Sequence, residues 1–157
     1  MDGLMVKLPY ARQIVDGTKP IEIRNREVRK RGLIAIYAAA AIPCWRCPLA
    51  PRVENLNAGE KQCCDETRYL GCEHDKGYIL GIVDLCGCRR LHEQDRRILG
   101  FPEDGPEGYW AWVLRDEFAL PKAVACKPPQ GAQVWFTLPK DVEAKVLQQT
   151  AREGRRA

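Results

Sequence analysis

In the stretch GTKPIEIR an amine, a carboxylate and a guanidinium follow one another at Lys19, Glu22 and Arg24, close enough along the chain to serve one site. Such a trio has two chemical uses. The cations can hold an anion while the carboxylate accepts hydrogen bonds from a base; alternatively, the carboxylate can activate a water while the amine steadies the oxyanion that forms. The stretch runs on into RNREVRKR, so six basic residues, Lys19, Arg24, Arg26, Arg29, Lys30 and Arg31, stand against two acids, Glu22 and Glu27. Their net charge of +4 equals the net charge of the whole 157-residue chain. Positive charge gathered in this way suits an anionic partner, nucleic acid being the commonest large one; the alternative is a solvated basic loop.

Thiols form the second reactive group. Cys44, Cys47, Cys63, Cys64, Cys72 and His74 fall within residues 43–76, a polar, non-periodic stretch that reads as an insertion between two strands. CWRC has the spacing by which two thiolates reach a tetrahedral Zn2+, and a segment with few aliphatic residues needs such a staple. A structural zinc held by four of the six is expected. The spacing does not say which four, because CC followed by GCEH is not a second C-x2-C pair. Scattered reduced cysteines and redox pairs are the alternatives. With eight cysteines in 157 residues the chain lies below the roughly 8–10% that marks a disulfide scaffold. Cys86, Cys88 and Cys126 lie on apolar stretches and read as core.

The elements that must position these groups are legible from periodicity. Pro9, the spacing of Ala11, Ile14 and Val15, and Gly17 as a stop predict a helix over 9–16. PIEIRN alternates, with Ile21 and Ile23 on one face and Glu22, Arg24 and Arg26 on the other, which predicts a strand whose charged face meets water or lines a cavity. Apolar runs at 33–38, 78–88, 109–114, 123–126 and 133–138 predict further strands, and helices are expected at about 91–99 and 140–152. His92 reads as a helix-start residue. Trp110 and Trp112 share one strand face, for which core packing and base stacking are the two readings. The fold class is α+β, a small β-barrel with short helices packed outside; residues 1–139 make one domain interrupted by the Cys-rich insertion, and 140–157 a C-terminal helix and basic tail. The longest apolar run has ten residues, against roughly 18 needed to span a bilayer, and the first residues lack the pattern of a secretory signal. A cytoplasmic protein with no membrane partner is expected.

Several blocks, in order, resemble the ASCH domain (activating signal cointegrator homology), a branch of the PUA-like superfamily. GTKPIEIR is similar to the family's G-x-K-x-x-E-x-R signature at Gly17, Lys19, Glu22 and Arg24; LPYA, with Tyr10, stands where the family commonly has Gln-Pro-aromatic-Ala. RGLIAIYAA, GYILGIVDLCGC, YWAWVL and QGAQVWFTLP resemble the strands that follow. The resemblance implies a PUA-like barrel with a charged cleft that binds RNA or another nucleic acid through Tyr10, Lys19, Glu22, Arg24, Arg26, Arg29, Lys30 and Arg31. Charge and a cleft do not separate RNA from single-stranded or duplex DNA. Some members of the fold are hydrolases that deacetylate N4-acetylcytidine with a Lys, a Glu and a Thr placed three residues after the Lys. Here that place holds Glu22, and Thr18 precedes Lys19, so the nucleophile is missing and hydrolysis through Lys19 and Glu22 is the second reading.

Overall fold

The computed structural model describes residues 1–41, 75–98 and 108–152. Among them six strands, β1 (Asp2–Leu8), β2 (Ile21–Arg24), β3 (Gly32–Ala41), β4 (Tyr78–Arg90), β5 (Trp110–Ala125) and β6 (Trp135–Thr137), form one sheet in the order β2-β5-β4-β3-β1-β6. Helices α1 (Tyr10–Val15), α2 (Glu93–Ile98) and α3 (Lys140–Arg152) complete the α+β architecture. None of them is long and apolar enough to cross a membrane.

Two strands differ from the sequence expectation. β1 was not expected, although Leu4, Val6 and Leu8 alternate and are buried where β1 pairs in parallel with β3. The runs at 109–114 and 123–126 are one strand, β5, because two irregularities absorb the residues between them: Arg115 faces Asp84 and Phe118 faces Ile82, three steps matching two, with Asp116 at φ 49°, and Ala119 faces Gly81 while Val124 faces Ile79, five steps matching two.

The sheet is a curled half-barrel. Arg24 on β2, the first strand in the order, donates from Nη2 to the Met5 carbonyl on β1, the fifth, at 2.7 Å. A flat sheet would hold those strands about 19 Å apart, at roughly 4.8 Å per interval, so the edge carrying β2 folds back toward β1. The expected α+β class with a small barrel thus takes the form of a half-barrel, across which side chains such as Arg24 reach from one strand to another. One core contains Leu4, Val6, Ile36, Leu80 and Trp112 together with Ala11, Ile14 and Val15 of α1. The other contains Tyr37, Ile79, Ile82 and Phe136 together with Val142 and Val146 of α3. Beyond Leu114 no strand pairs with the outer edge of β5 among the described residues; there the Gln149 amide of α3 accepts from Lys122 N–H and donates to Lys122 C=O, both at 2.9 Å.

Candidate nucleic-acid interface

The local chain path explains how Lys19 reaches the site. α1 ends at Gly17, whose φ of 82° only glycine adopts without strain, and a Cβ there would lie 2.4 Å from the Glu117 carboxylate. The reversal lets Lys19 N–H bond to the Gln13 carbonyl at 2.8 Å. Pro20 then stands just before the edge strand, where its missing N–H is harmless, and its carbonyl accepts from Leu114 N–H at 2.9 Å.

Lys19 and Glu22 are 6% and 7% exposed, and the ammonium donates to Glu22 Oε2 at 2.5 Å and to the Ile21 carbonyl at 2.7 Å. Arg24 Nε lies 3.0 Å from Glu22 Oε1 without alignment for a hydrogen bond, so that contact is one of charge. The carboxylate therefore has a cation at each oxygen. Burying such groups is costly unless they are paired, and the pairing here is reciprocal. Burial pulls the Lys19 amine below its ordinary value; the Glu22 charge and hydrogen bond oppose this, and the charge of Arg24 adds to it. Tyr10, 38% exposed, places its ring 5.5 Å below the ammonium. The Arg24 guanidinium lies 5.8 Å from the ring centre of Trp112, which faces Glu22 across the β2–β5 ladder and is fully buried.

These groups line a cleft of about 290 Å³, at the small end of ligand-binding cavities. Tyr10, Lys19, Glu22 and Arg24, named from the sequence, meet there, joined by Met5, Lys7, Ile23, Ala39 and Gln133. The alternation of β2 was legible, but the curl makes its charged face an enclosed one: Glu22 is as buried as Ile21, whereas Ile23 is half-exposed. Of the added lining residues, Ile23, Ala39 and Gln133 fall within the blocks quoted above but were not named for a site, and Met5 and Lys7 fall outside those blocks. For Met5 and Lys7 the sequence signal is the alternation of β1, which puts them on the side opposite Leu4, Val6 and Leu8.

Arg26, Arg29, Lys30 and Arg31 do not line the cleft. Lys30 pairs with Asp2 and lies 5.1 Å over the Trp135 ring, and Arg31 donates to the carbonyls of Val28 and Lys30. Arg26 and Arg29 are exposed. Thr18, also exposed, bonds through its hydroxyl to Asp16 Oδ1 at 2.7 Å and does not line the cleft. His92 stands just before α2 as expected, its N–H donating to Asp95 Oδ2 at 2.9 Å. The expected zinc ligands Cys44, Cys47, Cys63, Cys64, Cys72 and His74 lie outside the described residues, within which no cluster suited to a metal ion occurs.

No family model and no curated protein matches the chain. Among solved structures it is similar to an ASCH protein from Zymomonas mobilis, at 18% identity over 94% of this chain and 93% of that one, with a TM-score of 0.48. A mutant form of the same protein aligns at 16% identity over 94% of this chain and 96% of that one, with a TM-score of 0.49. The likeness is one of fold.

Proposed function

We propose that this chain, ASCH-like in fold, is a cytoplasmic nucleic-acid-binding protein, with RNA its first candidate ligand. The observation that carries the reading is the enclosed carboxylate of Glu22, held between Lys19 and Arg24 in a small cleft whose other charged lining residue is Lys7. A fold gains little stability from burying a charged trio, so a trio placed at a cleft is better explained by a ligand. Each carboxylate oxygen keeps a lone-pair position that can accept from the amino or imino group of a base, and the surrounding cations favour a phosphate nearby. Exposed Arg26 and Arg29 extend the positive charge beyond the cleft, where they can meet further phosphates.

Labelled single-stranded and duplex RNA and DNA, titrated against the wild type and an equally basic unrelated protein, test this. Binding by the wild type above the control, lost in Lys19→Met and altered in base preference in Glu22→Gln, is the expected result. Binding no stronger than that of the control would refute the reading and leave a small-molecule or protein partner as the better account.

Hydrolysis of a modified nucleoside is a second reading, favoured by one feature: a buried amine below its ordinary pKa beside a carboxylate. Against it, both oxygens of Glu22 already face cations, which weakens the carboxylate as a base toward water.

A further inference from the structure

The strand register builds a second row of side chains next to the charged trio. Arg24 stands opposite Trp110 across β2 and β5, and Arg90 stands opposite the same Trp110 across β4 and β5. Cross-strand partners project to one face, so an indole sits between two arginines. The Arg90 guanidinium lies 4.2 Å from the ring centre of Trp110, a stacking distance, and its Nη1 donates to the Gly108 carbonyl at 3.0 Å. Arg90 is exposed and Trp110 half-buried, whereas Trp112, two residues along the same face, is closed off in the core. Arg24 belongs to both places, lining the cleft while facing Trp110. Neighbouring acids are already engaged: Glu22 faces Lys19 and Arg24, and Asp95 is gripped by both terminal nitrogens of Arg89.

We propose that Arg90 stacked on Trp110 forms a second nucleotide subsite, taking the residue next to the one in the cleft from a single-stranded nucleic acid. The proposal rests on the reading of the cleft given above. A guanidinium held over an indole at this distance is a planar cation fixed in place by its ring and by the Gly108 carbonyl; a base can stack beside it, and its remaining N–H groups can meet a phosphate. Arg24, between subsite and cleft, is placed to meet the phosphate that links the two nucleotides. Bases paired in a duplex offer no free face, so the subsite selects unpaired strands.

The test uses uridine monophosphate and oligouridylates of two, three and five residues, with affinity measured for the wild type, Arg90→Gln, Trp110→Leu and Trp110→Tyr. In the wild type, affinity steps up between one and two or three nucleotides. Arg90→Gln and Trp110→Leu lower oligonucleotide affinity by about five- to a hundredfold, the usual worth of one stacked base, and leave the mononucleotide unchanged; Trp110→Tyr retains most of the step. Arg90→Gln alters an exposed side chain, so the test does not depend on Trp110→Leu folding. Wild-type binding with the same length dependence in Arg90→Gln overturns the second subsite and leaves the cleft reading intact. A wild type that binds no member of the series, nor any of the RNA and DNA strands that test the cleft, overturns both.

Discussion

Trp112 on β5 and Trp135 on β6 stack, with ring centroids 5.5 Å apart and planes 12° from parallel, although three strands stand between theirs in the sheet. The stack spans the curl beside the Arg24 hydrogen bond to the Met5 carbonyl, the guanidinium lying 5.8 Å from the Trp112 ring centre. The Trp112 indole N–H also donates to the Arg26 carbonyl at 2.9 Å, so one side chain fixes both the curl and the basic stretch after β2.

A double-mutant cycle of Trp112→Leu and Trp135→Leu, followed by urea unfolding, is expected to give a coupling energy of about 0.5–1.5 kcal/mol. Trp112→Leu alone should cost up to about 3–5 kcal/mol, since it empties a fully buried site, and Trp135→Leu less. Additive single effects would mean that the rings touch without holding the curl.

The lowered pKa of Lys19 predicts a pH effect on stability. Between the folded value and the ordinary 10.5, the unfolded chain carries a proton at this amine that the folded chain lacks, so unfolding takes up a proton and stability rises with pH through that window. Melting temperatures of the wild type and Lys19→Met, compared from neutral pH to 10.5, should show the wild type gaining on the variant as pH rises. A constant difference across the range would remove the basis for a strained amine.

Salt titrations separate the basic residues. On single strands each lost phosphate contact flattens the slope of log K against log salt by about 0.7. Arg29→Gln and Arg26→Gln should do this for every sequence tested, and Lys30→Gln less, because Lys30 is already paired with Asp2. Equal effects at all three positions would point to general charge attraction and no fixed path for the strand.

Acetylcytidine hydrolysis should be weak or absent. A carboxylate occupies the place of the nucleophilic hydroxyl, and the Thr18 hydroxyl is tied to Asp16 outside the cleft. Chromatography of products after incubation with the acetylated nucleoside checks this; turnover abolished by Lys19→Ala or Glu22→Gln would promote the hydrolase reading.

The C-x2-C pair at Cys44 and Cys47 leads us to expect about one equivalent of zinc in protein purified without chelators, released by Cys44→Ser or Cys47→Ser. Elemental analysis decides, and metal-free protein from zinc-replete medium would contradict the expectation.

What was legible in the sequence was local. The alternation through Ile21, Glu22, Ile23 and Arg24 gives a strand, and the spacing of Ala11, Ile14 and Val15 gives a helix, because both patterns lie within a few residues. The direction that strand turns its charges was not, since it depends on a curl fixed by contacts such as Arg24 to Met5 and Trp112 to Trp135. Lys7 and Gln133 lie far apart along the chain and share a cleft with Lys19 only through folding. The length of β5 was hidden for a related reason: the bulge at Asp116 breaks the period-two signal without ending the strand.

The Gln149 amide, bonded to both backbone groups of Lys122, acts as a one-residue imitation of a neighbouring strand. An open run of strand edge is a template on which a second molecule can add a strand of its own, and natural sheets blunt such edges. α3 blunts the edge at Lys122 by filling both of its backbone hydrogen-bond positions, and it lays Val142 and Val146 over the adjoining core. The last described helix thus covers a stretch of strand edge as well as a core.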